Sequence, residues 1–105
     1  MALNATAERM IYHITDLKTW KHEKTTTHFN GDQSDGFIHA SNYDQLQATR
    51  NKHFKGKTNL LLLTIDPFKV HAEIKYEDLQ GQGQFFPHIY GNLNLDAVIK
   101  VEELL

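Results

Sequence analysis

Seven histidines stand in this chain of 105 residues, and three of them share a setting the others lack. His13 in "MIYHIT", His39 in "DGFIHAS" and His88 in "FFPHIYG" each sit among residues that favour strands and half-buried positions. An imidazole titrating near neutral pH can hold a hydroxyl, exchange a proton or ligate a metal, so three in one place would make a chemical centre. Any one of them alone reads more simply as a hydrogen-bonded structural group. It is the recurrence that points to a site. His22, His28, His53 and His71 lie in polar contexts and read as solvated groups.

Three neutral imidazoles plus water can hold a catalytic zinc ion. No H-x-H, H-x-x-x-H or HExxH pair puts two ligands on one element here, so no metal is expected. The absence of cysteine removes disulfides, thiolate metal sites and the thiol nucleophile. No G-x-S-x-G elbow is present, and Ser41 reads better as a helix cap than as a nucleophile. "GQGQ" lacks both the strand-to-helix setting and the lysine of a phosphate loop. Next to the histidines, Tyr12, Thr15, Ser41 and Tyr90 suit ribose or amide groups, though each has an equally good packing or capping role. Glu77 ends an alternating strand and reads as a solvated edge charge ahead of a general base.

The elements that must position these residues are legible in outline. "MIYHI" reads as a first strand with Met10, Tyr12 and Ile14 on one face and Ile11 and His13 on the other. Thr15 then caps a helix over Asp16 to about His22, with Leu17 and Trp20 as its buried stripe. Lys24 to Asp35 reads as a long loop, of a length more often functional than accidental. "GFIHA" makes a strand with Phe37 and His39 on one face. Ser41 and Asp44 resemble a capping box opening a helix from Asn42 to about Phe54, which Gly56 ends in a left-handed turn. Leu60 to Ile65 is a strand covered on both faces, stopped by Asp66-Pro67. "VHAEIKYE" alternates, with Val70, Ala72, Ile74 and Tyr76 opposite His71, Glu73, Lys75 and Glu77. "FFPHIYG" is a short extended piece broken by Pro87 and Gly91, and "AVIKVEEL" is the last strand.

Helices early and strands late give an α+β class, and the chain reads as one domain over residues 1–105 with a tail at 1–9. A domain of this length buries roughly two-thirds of the surface its unfolded chain exposes. A formal charge of −2 and a pI near 6.4 offer no strong field to nucleic-acid phosphates or an anionic membrane, and neither is an expected partner. No stretch is apolar enough to span a bilayer and the start does not look like a secretory signal, so a cytoplasmic location is expected. The sequence carries no signal for an oligomeric state.

Taken in order, "IYHIT", "DGFIHAS", "LLLLTIDP", "KYE", "FPHIYG" and "LDAVIKVE" resemble the bacterial family known as domain of unknown function 952, from about Met10 to Glu102. That family has no established activity. The resemblance implies a fold similar to the catalytic core of ADP-ribosyltransferases, a split β-sheet holding NAD in a cleft, with two helices in the N-terminal half. In such enzymes a first-strand histidine or arginine contacts a ribose, a second motif shapes the pocket and a late strand supplies a polar catalytic residue. By position, His13 matches the first motif, His39 with Ser41 the second, and His88 the third. The glutamate common at the third motif is absent from "FPHIYG".

Two functions follow. The leading one is a cleft lined by His13, His39 and His88, with Tyr12, Thr15, Ser41 and Tyr90 as ligand contacts, that binds NAD or a related nucleotide as ligand or substrate, with transferase or glycohydrolase chemistry open. The other is a noncatalytic module for a metabolite or protein, in which the histidines are buried hydrogen-bond posts.

Overall fold

The computed structural model describes residues 10–104, so the expected tail at 1–9 lies outside the described residues. The chain runs β1 (Ile11–Asp16), α1 (Leu17–Glu23), β2 (His28–Phe29), β3 (Ile38–His39), a 3-10 turn (Tyr43–Gln45) leading into α2 (Leu46–His53), β4 (Leu60–Ile65), β5 (Glu73–Glu77), β6 (Phe86–Tyr90), β7 (Leu93–Asn94) and β8 (Val98–Leu104). The class is α+β, with two α-helices and three small antiparallel sheets of order β1-β4-β8, β2-β7 and β3-β6-β5. The two three-stranded sheets are joined where Tyr12 and Ser41 exchange backbone N–H···O bonds of 2.8 Å each way, and again where His13 of β1 bonds the backbone carbonyl of His39 in β3.

The apolar run of β4 forms the centre of the first sheet because it needs cover on both faces. Leu60, Leu61, Leu63 and Ile65 are all buried, and β4 pairs along its whole length with β1 and β8. The core lies between the sheets. Ile11, Leu63 and Ile65 come from one side, Ile38, Ala40 and Ile89 from the other, and Phe29 and Leu93 from the small β2-β7 ladder.

Several local expectations are corrected. The strand β1 runs on to Asp16, and Asp16 replaces Thr15 as the cap of α1, its carboxylate accepting the Thr19 N–H at 2.6 Å. Trp20 packs against the core, but Leu17 stays exposed. The presumed loop from Lys24 to Asp35 contains β2, held because Phe29 is fully buried against Trp20, with ring centroids 5.0 Å apart. Ser41 does not cap the second helix. Its hydroxyl pairs with Thr49 Oγ1 at 3.1 Å, and the turn begins at Asn42, whose N–H is bound by Gln45 Oε1 at 2.9 Å.

Pro87 does not break its segment either. It sits inside β6, the middle strand of its sheet, where its carbonyl accepts the Ala40 N–H at 3.0 Å. The missing proline N–H points to that same side, where the two-residue β3 ladder ends, so no long run of pairing is interrupted. Gly91 does end the strand: at φ 140° it adopts a conformation open to glycine, and a Cβ there would come within 3.1 Å of the Ala72 side chain. Gly56, at φ 78°, supplies the expected left-handed turn after α2.

Candidate functional site

The register of the second sheet decides which side chains meet. His39 is opposite His88, His88 is opposite Lys75, and Glu77 is opposite Phe86. Period-two alternation then puts Ile38, Ile89 and Ile74 on the core face, and Phe37, His39, His88, Tyr90, Lys75 and Glu77 on the opposite face.

On that face the rings are in contact. Phe37 stacks on His88 with centroids 4.0 Å apart and lies 4.6 Å from His39 and 5.2 Å from Tyr90. The His39 and His88 rings are edge to face at 5.5 Å. Lys75 Nζ stands 4.8 Å above the Tyr90 ring. Phe37 is buried, so it is the floor on which the polar rings rest.

The Glu77 carboxylate ties two of these residues together. Its Oε1 accepts both the Tyr90 hydroxyl at 2.6 Å and His88 Nδ1 at 2.9 Å. Those two donors, Tyr90 first and His88 second, hold the carboxyl below the usual glutamate range, and the same contact pushes the Tyr90 hydroxyl up. A carboxylate only accepts, so Nδ1 of His88 carries the proton in this contact and Nε2 is left as the free valence. Nε2 makes no hydrogen bond among the described residues. His88 is buried, its side chain only 6% exposed, and Nε2 is not among the fully enclosed unpaired atoms of the described residues.

His13 enters from the other sheet. Its Nδ1 meets the backbone carbonyl of His39 at 2.5 Å, close to the seam between the sheets. The carbonyl only accepts, so Nδ1 donates and Nε2 again holds a lone pair. Burial of the ring lowers its pKa to about 4, against the opposing pull of the His39 carbonyl, so the imidazole is neutral at physiological pH. The ring rests on Phe29 at 5.8 Å. His39 itself is largely exposed, its Nε2 bonded to Asp35 at 2.8 Å.

His13, His39 and His88 are thus linked through His39, which touches both of the others. Tyr90 belongs to the same cluster. Tyr12, Thr15 and Ser41 are buried: Tyr12 lies against the Tyr43 ring at 5.7 Å, and Ser41 is pinned to α2 through Thr49. Glu77 is the main correction, for it is engaged with His88 and Tyr90 rather than being a free edge charge. Its signal was available in the alternation of "EIKYE", which puts Glu77 on one side with Lys75. What was missing was the register with β6. Phe37 and Asp35 join the cluster without a signal of their own in the sequence beyond the strand face that Phe37 shares with His39. Among the described residues no three histidine or acidic side chains are grouped to hold a metal ion, and none of the described helices is long and apolar enough to cross a membrane.

The arrangement defines a small α+β protein in which two three-stranded sheets, joined by a backbone bridge, carry a cluster of rings and one shared carboxylate. The chain belongs to the family described as protein of unknown function (DUF952), whose sequence profile matches residues 13–101. It is similar to protein CC0527 from Caulobacter crescentus, to whose crystal structure it is 34% identical, with a TM-score of 0.82 over 91% of this chain and 86% of the other. The solution NMR structure of CC0527 gives a TM-score of 0.77 at the same identity, covering 84% of that chain. No curated protein matches the chain.

Proposed function

We propose that the outer face of the β3-β6-β5 sheet, beside the seam, binds a nucleotide that carries a cationic aromatic ring on a ribose, NAD or a related nicotinamide nucleotide. The observation that carries this reading is the ionised Glu77 carboxylate, held by Tyr90 and His88, on the same face as the exposed His39 ring, with Phe37 and His88 buried beneath them. An exposed flat ring and a carboxylate together favour a flat cation over a neutral ring. The free nitrogen of His13 accepts a hydrogen bond, which suits a ribose hydroxyl or a carboxamide. Lys75, on the same face, offers a charge to a phosphate.

The test is thermal stabilisation and calorimetry against NAD, nicotinamide mononucleotide, NADH and ADP-ribose. A ligand at a hundred times its dissociation constant adds about 2.7 kcal/mol of stability. NAD and the mononucleotide are expected to stabilise the protein. NADH, whose ring is neutral, is expected to bind at least about tenfold more weakly, and Glu77→Gln to erase that difference. No shift with any of the four compounds, or equal affinity for NAD and NADH, would overturn the reading.

A further inference from the structure

We propose that His88, oriented by Glu77, is a general base that makes this face catalytic, taking a proton from water as that water attacks the ribosyl carbon of the bound nucleotide. The inference rests on the nucleotide reading above. The geometry behind it does not depend on the family. A carboxylate on Nδ1 fixes one tautomer of an imidazole, aims the opposite nitrogen outward and stabilises the imidazolium once that nitrogen has taken a proton. His88 meets each requirement: Nδ1 is on Glu77 at 2.9 Å, the ring is clamped by Phe37 at 4.0 Å, and Nε2 has no partner among the described residues and is not fully enclosed, in a side chain that is 6% exposed and so largely shielded from bulk water. Tyr90 fixes the carboxylate in turn through a 2.6 Å bond to the same oxygen, so Glu77 and Tyr90 are positioning residues. A histidine needed only for packing would be served by its contact with Phe37. A carboxylate held by two donors on one oxygen, behind a ring whose far nitrogen is open, is the arrangement of a poised base.

The step balances as a hydrolysis. The water oxygen forms a bond to the ribosyl carbon, and the carbon–nitrogen bond to the cationic ring breaks, its electron pair passing to the ring nitrogen. The ring leaves as neutral nicotinamide. One water proton passes to His88 Nε2 and then to solvent, while the other stays on the new ribose hydroxyl. A cationic ring is a good leaving group because it departs neutral, so what the protein must supply is an activated nucleophile.

The experiment measures nicotinamide release from NAD by the full chain and, in parallel, NAD binding by calorimetry. His88→Ala is expected to lower kcat by about a hundredfold at saturating NAD, the usual contribution of a positioned base, over and above any weakening of NAD binding, which calorimetry reads separately. Adding imidazoles to that variant is expected to restore turnover in proportion to their basicity, which filling a hole beside Phe37 would not do. Because His88→Ala can destabilise the sheet, Glu77→Gln is the companion: it keeps an acceptor for His88 and Tyr90, and kcat at saturating NAD is expected to fall by about tenfold or more, separately from the loss of NAD affinity that removing its charge causes. Binding of NAD without release of nicotinamide overturns the base and leaves the nucleotide reading standing. Turnover in His88→Ala equal to that of the wild type, or rescue indifferent to basicity, also overturns the base. Absence of NAD binding overturns the nucleotide reading, and the base with it.

Discussion

The two three-stranded sheets are built on similar core faces and differ on the faces turned away. In β1-β4-β8 the central strand is apolar on both sides, with Leu60, Leu61, Leu63 and Ile65 all at 7% exposure or less. In β3-β6-β5 the two sides differ. Ile38 and Ile89 are fully buried on one, while the other carries two imidazoles, a phenol, an ammonium and a carboxylate around the buried ring of Phe37. A central strand paired on both edges and buried at four of its six positions adds stability and offers few polar groups for chemistry. A sheet anchored by one face leaves the other free to hold polar groups in fixed register, and that is where the hydrogen-bonded cluster stands.

This contrast breaks most visibly through Leu63, fully buried at the middle of β4. Leu63→Ala is expected to cost about 2–5 kcal/mol by denaturant unfolding, the range for a truncated core leucine. NAD affinity, measured on the fraction that remains folded, is expected to be unchanged. A loss below about 1 kcal/mol would mean that the first sheet is not the one on which folding depends.

His13 sharpens the comparison because it belongs to the first sheet and bonds to the second. Its pKa falls from 6.5 to about 4 on folding, so the unfolded chain binds the extra proton more readily. Stability from this group is complete above pH 6.5 and is lost as the pH falls towards 4. Between pH 7.5 and pH 5 the loss amounts to about 2 kcal/mol, before the carboxylates begin to titrate. His13→Gln, whose amide can still donate to the His39 carbonyl, is expected to flatten stability over that window in urea titrations. An equal slope in the variant would place the acid sensitivity elsewhere.

The same contrast explains what could be read from the sequence. The strand Leu60–Ile65 and its stop at Asp66-Pro67 were legible because the run has a single apolar character and a local breaker. The α+β class and the last strand followed from patterns equally local. The misses depend on partners far away along the chain. Phe29 stood alone among polar residues, and only its burial against Trp20 and pairing with β7 reveal a strand. Pro87 was a breaker by rule, and is tolerated because the ladder it would interrupt is two residues long. The three chosen histidines did converge on β3, but the carboxylate serving His88 came from a residue eleven positions earlier, through a register that no local periodicity encodes. Local competition also moved both caps by one residue, from Thr15 to Asp16 and from Ser41 to Asn42, where each neighbour has a side chain equally able to cap.

The gentlest probe of the second sheet is Tyr90→Phe. The hydroxyl it removes is the leading cause that holds the Glu77 carboxyl below its ordinary range, so the carboxyl is expected to titrate at higher pH in the variant, as followed by carbon-detected NMR. Glu77 keeps its bond from His88, so no buried acceptor is orphaned, and stability at neutral pH is expected to change less than for either substitution in the first sheet. The sign of the acid response is also set. A carboxyl whose folded pKa is depressed stabilises the native state above its unfolded pKa, and that stabilisation disappears as the pH falls through the folded pKa. Weakening the depression therefore makes the variant less dependent on this group, and its stability falls less steeply on acidification than that of the wild type. A Glu77 titration identical in the two proteins would show that the 2.6 Å contact does not organise the carboxylate. The outer face would then lack the fixed geometry that separates it from the inert faces of β4.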